Sequence, residues 1–294
     1  MASNLVSSTR SQGRPPLAPN VFRPQLVRVA TVTAEAPGIR TFRLEFLDPA
    51  EGQAFRFRTG QFGLYGVFGE GESTFCIASS PTRTGYIECT FREVGRVTTA
   101  LAACEEGDVI GFRGPYGNAF PLESWAGKSL VFVAGGIALP PLRSVIWNAL
   151  DWRDRFAGVT IVYGARSVAD LVYKRELEQW AARGDVKLVV TVDPGGETPD
   201  WKGEVGFVPH VLEKLAPKSA DTVALVCGPP IMIKLSLPVL AKLGFSDEAV
   251  YTTLENRMKC GLGKCGRCNT GRSFVCKDGP VYTLAQLRHL PAEY

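Results

Sequence analysis

Four of the chain's eight cysteines lie close together near the carboxyl end, in the stretch "KCGLGKCGRCNTGRSFVCK". Thiolates are soft ligands that hold iron–sulfur clusters or zinc. Glycines between the cysteines allow the backbone to wrap closely around a cluster and to direct N–H groups at its sulfurs. The spacing C-x4-C-x2-C-x7-C begins with the run typical of plant-type [2Fe-2S] ligands and predicts a metal site with these ligands: Cys260, Cys265, Cys268 and Cys276.

Zinc and disulfide bonds are the alternatives to a cluster at this segment. Zinc sites typically use two CxxC pairs from separate turns, whereas this segment has a single CxxC. The other four cysteines are scattered without the spacing of a disulfide framework, as expected of reduced thiols in a cytoplasm. The scattered cysteines are Cys76, Cys89, Cys104 and Cys227. The spacing alone does not exclude zinc or a disulfide bond at the four-cysteine segment.

Composition limits the classes of function. A chain of 294 residues with 45% hydrophobic and 21% charged residues is long enough for two compact domains and a small appendage. No apolar run approaches the roughly 18 residues of a membrane span, so we expect a soluble protein. The net charge of +4, without a run of five Lys or Arg, argues against nucleic acid and anionic lipid. The only histidines, His210 and His289, argue against a histidine-rich metal or proton site.

Two regions with different hydrophobic patterns precede the four-cysteine segment and must position it. From about residue 25 to 122, short runs alternate with turn signals, and several alternate apolar with polar residues, as in Ile87, Cys89 and Phe91. That pattern predicts a small antiparallel β-barrel. After Gly127, nearly continuous apolar strands alternate with helical segments, which predicts an α/β domain with a parallel sheet. Its strands are expected to begin near Ser129, Val159, Val186, Thr222 and Val250.

The loop after the first of these strands reads "AGGIALPPLRS". Gly135 and Gly136 allow a tight turn and a close approach to a ligand, and Pro140 and Pro141 can open the following helix. The amino terminus of that helix would face a pyrophosphate, because ligands bind at the carboxyl ends of parallel strands. A glycine pair after a strand is also compatible with a simple turn.

Residues 25–255 as a whole resemble the ferredoxin NADP reductase superfamily. The resemblance rests on "TGQF", "STFCIASSP", "GRVTTAL", "GPYGNAF", "AGGIALPPLRS", "YGAR" and "CGPPIM", which occur in the family's order. It implies an antiparallel β-barrel that binds FAD, followed by an α/β domain that binds NAD or NADP.

In the barrel, the resemblance assigns "STFC" to the flavin. Phe75 matches the aromatic residue that packs on the flavin ring, and Cys76 matches the small polar residue near flavin N5. The family's usual arginine, which pairs with the FAD pyrophosphate, is replaced by Ser73. Backbone and hydroxyl donors of "GRVTTAL" would then have to hold the phosphates. The implied flavin-side residues also include Thr74, Gly95, Val97, Thr98, Gly114, Tyr116 and Gly117.

In the second domain, the resemblance assigns the pyrophosphate loop and the nicotinamide neighbours. Cys227 and Gly228 match the residues beside the nicotinamide, although Cys227 is also compatible with a role as a small buried side chain. Arg166 stands where a 2′-phosphate would be read, so that NAD and NADP both remain possible. Hydride transfer would occur where Phe75, Cys76 and Cys227 meet. The implied pyrophosphate residues are Gly135, Gly136, Ala138 and Pro140.

A reductase core followed directly by a four-cysteine segment resembles the flavin-containing electron-transfer subunits of larger enzymes. These are the gamma subunits of cytoplasmic nickel–iron hydrogenases (sulfhydrogenases) and the corresponding subunits of anaerobic sulfite reductase and dihydroorotate dehydrogenase. "TLENRMKCGLGKCGRC" and "DGPVYT" look most like the hydrogenase type. The resemblance implies FAD, a [2Fe-2S] cluster, NAD or NADP as substrate, and a cytoplasmic hetero-oligomer with iron–sulfur and catalytic subunits. A stand-alone reductase and a non-redox zinc module are the competing classes.

The expected organisation has four parts. Residues 1–22 contain no acidic residue and include Arg14, Pro15, Pro16 and Pro19. A transit peptide can have this composition, but the stretch lacks the apolar helical face of one. We therefore expect a flexible or partner-binding arm. The FAD barrel is expected at 23–126, the NAD(P) domain at 127–248 and the cluster segment at 249–294.

Overall fold

The structure, a computed structural model, describes residues 20–291 of the chain. The expected arm, residues 1–22, therefore lies almost entirely outside the described residues. Residues 20–22 belong to a turn in which the backbone N–H of Arg23 donates to the carbonyl of Asn20.

The amino-terminal part is an antiparallel sheet of six strands, in the order β4-β3-β6-β1-β2-β5. The two edge strands, β4 and β5, also contact each other, so the sheet curls into a barrel. The strands are β1 (Gln25–Ala36), β2 (Ile39–Phe46), β3 (Phe62–Val67), β4 (Gly71–Cys76), β5 (Ile87–Arg92) and β6 (Val109–Tyr116), with helices α1 (Pro49–Ala54) and α2 (Arg96–Ala102) in the connections.

The barrel interior is filled by aromatic and branched side chains. Phe42 and Phe91 pack edge to face with ring centroids 5.0 Å apart, a favourable arrangement for two aromatic rings. Ile87, Cys89 and Phe91 of β5 are buried in this core, as their alternation predicts. Glu88 and Thr90 of the same strand are buried too, because the second domain covers that face.

The second domain is built on a seven-stranded sheet in the order β10-β9-β8-β7-β11-β12-β15. All neighbours are parallel except β15, which is antiparallel to β12. The elements up to β12 are β7 (Ser129–Gly135), α3 (Leu139–Asp151), β8 (Gly158–Ala165), α4 (Lys174–Ala181), β9 (Lys187–Val192), β10 (Glu204–Val205), α5 (Val208–Leu215), β11 (Thr222–Cys227), α6 (Pro230–Lys242) and β12 (Val250–Thr253).

The carboxyl-terminal segment winds from the sheet to the barrel and back. It contains β13 (Asn269–Thr270), β14 (Ser273–Phe274), α7 (Val275–Asp278), β15 (Val281–Thr283) and α8 (Leu284–Leu287). Because β12 and β15 belong to the α/β sheet, the boundary expected at residue 248 falls within a structural unit. Among the described residues, no helix combines the length and apolar character that a bilayer crossing requires.

The fold class expected from the sequence is confirmed, with local differences in two elements. The apolar stretch "FCIASS" has the pattern of a strand, but β4 ends at Cys76 because the carbonyls of Ala78 and Ser79 accept hydrogen bonds from helix α3 instead of a strand. The segment "DLVYKRELEQW" has the pattern of a helix along its whole length. Helix α4 begins only at Lys174, since Tyr173 has a left-handed φ of 55° and its N–H donates to Glu35.

Candidate functional site

The four cysteines of the carboxyl-terminal segment lie together in two adjacent pairs, Cys260 with Cys265 and Cys268 with Cys276. Within residues 20–291, no group of three or more His, Cys, Asp or Glu side chains lies close enough together in this structure to hold a metal ion. Two pairs of thiols suit a [2Fe-2S] cluster, in which four cysteines are shared between two irons. Cys265 is exposed, whereas the other three cysteines are buried.

Backbone N–H groups are directed at these sulfurs. Cys260 Sγ accepts from the N–H groups of Leu262 and Lys264 at 3.4 and 3.3 Å, and Cys276 Sγ accepts from Gly263 at 3.1 Å. Burial opposes ionisation of Cys260, but these N–H donors outweigh it and lower its pKa to about 6. Burial and the neighbouring Cys268 raise the pKa of Cys276 to about 12. The donor set and its N–H cradle therefore fit an anionic metal–sulfur group.

The barrel holds the first of these cysteines in place. Arg113 of β6 is buried, pairs with Glu72 of β4 at 2.7 Å and donates to the carbonyl of Cys260 at 3.4 Å. The ring of Tyr116 lies against Gly261, where an added methyl would come within 2.4 Å of a ring carbon. Gly261 also has a left-handed backbone, with a φ of 74°. Both this conformation and the contact with the Tyr116 ring favour glycine at this position.

Asn118 clamps the same segment to the barrel. Its amide donates to the carbonyls of Asp278 and Val281, and its carbonyl oxygen accepts from the N–H of Val281 at 2.9 Å. Gly117 lies against the carbonyl of Gly279, because an added methyl there would be 2.7 Å from that oxygen. The structure thus places Tyr116 and Gly117 of "GPYGN" beside the cluster segment, whereas Gly114 packs against Phe112 and Gly63 of the barrel.

The flavin-side strand β4 is an edge strand with every residue from Glu72 to Cys76 partly accessible. Thr74 donates to the carbonyl of Met258 at 3.1 Å, two residues before the first cysteine ligand. Phe75 is half-buried, and its ring centroid lies 5.8 Å from that of Tyr65 and 5.6 Å from that of Phe91. Strand β4 therefore faces the core with Phe75 and the cluster segment with Thr74.

Cys76 and Cys227 come together where the two domains meet. Burial raises the pKa of Cys76, and the nearby Cys227 and Glu255 raise it further. Cys227 Sγ lies 3.1 Å from Thr253 Oγ1, and burial raises the pKa of Cys227 to about 11. Both groups are therefore neutral thiols near pH 7. The two cysteines therefore present neutral thiols at the meeting point, which is compatible with hydride transfer but not with thiolate attack.

In the loop expected to hold the FAD phosphates, the hydroxyl of Thr98 forms hydrogen bonds within the loop itself. Thr98 Oγ1 accepts from the N–H groups of Val94 and Gly95 and donates to the carbonyl of Gly95. The hydroxyl is thus engaged in capping α2, and the side chain is buried. The prediction of Thr98 as a hydroxyl donor is at odds with this geometry. An added methyl at Gly95 would meet nothing within 4 Å, so the backbone of Gly95 faces open space. The side chain of Val97 packs against the barrel core.

The nucleotide loop lies at the carboxyl end of β7. Gly136 has a φ of 55° with open space around it, whereas an added methyl at Gly135 would lie 2.5 Å from Met232 Sδ. Gly228, at the end of β11, is confined by the same methionine at 2.2 Å. Ala138 precedes helix α3, whose first turn contains Pro140 as expected. The loop leaves open space at Gly136, which fits a dinucleotide, while Gly135 and Gly228 permit packing of α6.

Arg166 follows β8 at the same sheet edge. Its side chain is 75% exposed and pairs with Asp170 at 3.2 Å. This exposed cation is free to change partners, because a surface ion pair contributes little.

Sequence reasoning did not assign a role to Arg143, which joins the two domains. This buried residue of α3 donates to the carbonyl of Ala78 at 2.9 Å, to Glu88 at 2.7 Å and to Glu176 at 2.8 Å. Its guanidinium also lies 4.7 Å from the ring centre of Tyr173. Arg143 therefore links the helix of the nucleotide loop to the chain that leaves the flavin-side strand. The signal was present, since Arg143 lies inside the quoted "AGGIALPPLRS" motif.

The fold and the site define an oxidoreductase of the ferredoxin reductase type with an added iron–sulfur segment. Residues 132–237 match the oxidoreductase NAD-binding domain, and residues 255–288 match the iron–sulfur cluster binding domain of dihydroorotate dehydrogenase B. The second match favours a cluster over zinc. A solved structure of an NADH-dependent reduced ferredoxin-NADP oxidoreductase has the same fold, with a TM-score of 0.71, 21% identity, and coverage of 91% of this chain and 90% of that one.

Two relatives are similar over nearly their whole length. Sulfhydrogenase 1 subunit gamma of Pyrococcus furiosus is 36% identical, covering 92% of this chain and 94% of the relative. A probable dihydroorotate dehydrogenase B electron transfer subunit of the same organism is 31% identical, covering 86% and 87%. The chain belongs to this family of electron-transfer subunits. Its cofactors are accordingly FAD, an iron–sulfur cluster and NAD(P).

Proposed function

We propose that this chain is the electron-transfer subunit of a cytoplasmic nickel–iron hydrogenase and connects NAD(P)(H) with the partner's catalytic subunit. The observation that carries the proposal is the attachment of the four-cysteine segment to the flavin-side strand, through Thr74 to Met258 and through Arg113 to Cys260. When bound, FAD exchanges a hydride for single electrons, and the cluster carries electrons one at a time. The proposed route runs from the nicotinamide side through the flavin-side strand to the cluster segment, where Cys265 is exposed.

The chain's own residues position and shield these groups. Cys76 and Cys227 line the meeting point as neutral thiols and add no charge to it. Gly136 opens the nucleotide loop, and Arg166 would read a 2′-phosphate. No protein acid or base is needed, because a hydride carries both electrons and its hydrogen together.

A hydrogenase partner is favoured over the alternatives by similarity. Two Pyrococcus furiosus sulfhydrogenase gamma subunits are 36% and 37% identical over 92% and 90% of this chain. The second candidate is an electron-transfer subunit of a dihydroorotate dehydrogenase. The match of residues 255–288 to that enzyme's cluster domain and the 31% identical relatives support it.

The variant Cys265→Ser tests the proposed route. We expect reduction of FAD by NAD(P)H to be retained, while electron delivery to the co-purified partner is lost, since one cluster ligand is missing. Cys104→Ser is the matched control, because Cys104 lies after α2, outside the cluster segment. Delivery at the normal rate in Cys265→Ser would show that the cluster is not on the route. Hydrogen-dependent NAD(P)+ reduction by the purified complex, compared with dihydroorotate-dependent reduction, identifies the partner class.

A further inference from the structure

The positive charge of this chain is concentrated around the cluster ligands. Residues 257–277, here called the basic segment, contain six Lys or Arg and no Asp or Glu. The whole chain carries only +4, so the remainder is slightly acidic. The six cations are separated by glycines and cysteines rather than forming a run, and they are Arg257, Lys259, Lys264, Arg267, Arg272 and Lys277.

All six side chains of the basic segment are exposed. Within residues 20–291, no carboxylate forms an ion pair with any of them, although 13 ion pairs occur elsewhere in that part of the chain. Their charge is therefore directed at solvent or at a partner, and it is not used to stabilise the fold.

Balancing the cluster does not account for this charge. Six cations outnumber the four thiolate ligands, and the iron ions themselves offset thiolate charge. In the sequence, these cations lie on both sides of Cys265, which is the exposed cysteine of the segment. Arg267 lies between Cys265 and Cys268, and Arg272 lies in the turn between β13 and β14.

We propose that the basic segment is the docking surface for an acidic partner protein, which presents a carboxylate-rich face around its own one-electron centre. The inference rests on the proposed function, and it adds the chemistry of the partner's surface. Complementary charge steers two proteins together and aligns their centres, and its effect falls as salt screens it. A protein partner is favoured over a polyanion such as DNA because the cations share one segment with the exposed Cys265, where an electron would leave the cluster.

Two haem proteins of opposite charge serve as probes. Soluble cytochrome b5 is strongly acidic and cytochrome c is strongly basic, and each accepts one electron. With NAD(P)H as donor, we expect the holoprotein to reduce cytochrome b5 faster at low salt, with a rate that falls steeply as salt rises. Arg267→Glu/Arg272→Glu should lower that rate at low salt by about tenfold or more and flatten the salt dependence. The same double variant should reduce cytochrome c faster.

The control variant Lys202→Glu/Lys218→Glu makes the same change in net charge on the α/β domain, at exposed lysines outside the basic segment. It should behave as the unmodified protein does. Iron, sulfide and FAD content and the reduction of menadione, a neutral acceptor, should be unchanged in both double variants. Binding of cytochrome b5 to the holoprotein without NAD(P)H, measured by calorimetry, gives a readout independent of turnover and should weaken only in Arg267→Glu/Arg272→Glu.

The outcomes separate the two proposals. If the holoprotein reduces menadione but neither cytochrome, the cluster is not an outlet, and both proposals fail. If it reduces both cytochromes at rates that ignore salt and Arg267→Glu/Arg272→Glu, electron transfer holds and acidic docking is overturned. Binding of a DNA duplex that depends on Arg267 and Arg272, with cytochrome b5 unaffected, would identify a polyanion surface and would also overturn the inference.

Discussion

At the scale of single residues, the cysteines are differentiated by what surrounds them. Burial keeps Cys76 and Cys227 as neutral thiols, whereas N–H donors stabilise the thiolate of Cys260 despite its burial. The same residue type is thus a neutral thiol where the two domains meet and a stabilised thiolate in the cluster segment. These states lead to a prediction for the cluster-free protein.

Cys260 and Cys276 should differ in their pH dependence of alkylation. The lowered pKa of Cys260, about 6, means that its thiolate is present above that pH and lost below it. The raised pKa of Cys276, about 12, keeps it a thiol up to pH 9. Iodoacetamide pulses between pH 5 and 9, read by mass spectrometry, should give a midpoint near pH 6 for Cys260 and little labelling of Cys276. Equal midpoints above pH 8 would contradict this account.

Arg166 should discriminate between the two nicotinamide nucleotides. If it binds a 2′-phosphate, Arg166→Ala should raise the KM for NADPH by about tenfold or more, the size expected for a lost charge-assisted hydrogen bond, and leave the KM for NADH unchanged. Arg175→Ala on α4 is the control, as another exposed arginine. An equal change in KM for NADPH and NADH would show that Arg166 does not bind the 2′-phosphate.

At the scale of elements, strand β6 and the loop after it act as the anchor of the cluster segment. Arg113, Tyr116 and Asn118 lie within six residues and contact the segment at three places. The spacing of the cysteines predicts which residues are the ligands, but it does not indicate what holds the segment in place. The anchor comes from residues more than 140 positions away, and such contacts depend on tertiary packing.

Two glycines test this anchor under matched backbone strain. Gly261 and Gly266 have φ angles of 74° and 76°, but only Gly261 faces the Tyr116 ring. Both alanine variants should carry strain of about 1–3 kcal/mol, and Gly261→Ala should in addition lose most of its iron because the ring blocks the methyl. Tyr116→Ala should restore iron binding to Gly261→Ala. Equal iron content in the two variants would show that the Tyr116 contact does not matter.

The domain interface depends on a buried ion pair that is expected to be sensitive to removal of one partner. Arg143→Met would leave Glu88 and Glu176 without their buried cation and should destabilise the protein by about 3–5 kcal/mol. Arg43 also pairs with Glu88, but its side chain is 45% exposed, so Arg43→Met should cost at most about 1 kcal/mol. Urea unfolding followed by flavin fluorescence measures both. Similar stability of the two variants would contradict the assignment.

Much of the architecture was predictable from the sequence, because periodicity of two and runs of apolar residues determine which strand faces are buried. Ile87 and Phe91 illustrate the success, and Glu88 illustrates the limit. Its burial arises from contact with Arg143 of the other domain, and pattern reasoning within one strand does not contain that information. The engagement of the Thr98 hydroxyl was missed for a similar reason, since a local cap competed with the expected ligand.

At the scale of the whole molecule, two domains and a short segment together form the proposed electron-transfer route. The nucleotide loop, the flavin-side strand and the four cysteines follow one another in space, and the last of them carries the chain's excess positive charge. The segment returns to the α/β sheet as β15, so the cluster site is tied to both domains. This closure explains how a segment with little regular structure of its own can hold a cluster.

The most direct test of the account is low-temperature EPR of anaerobically purified protein before and after NADH or NADPH is added, with FAD, iron and sulfide quantified in the same sample. The account predicts one FAD and two irons per chain and a reduced [2Fe-2S] signal that appears upon addition of the nucleotide. An EPR-silent, iron-free protein that contains zinc would contradict it.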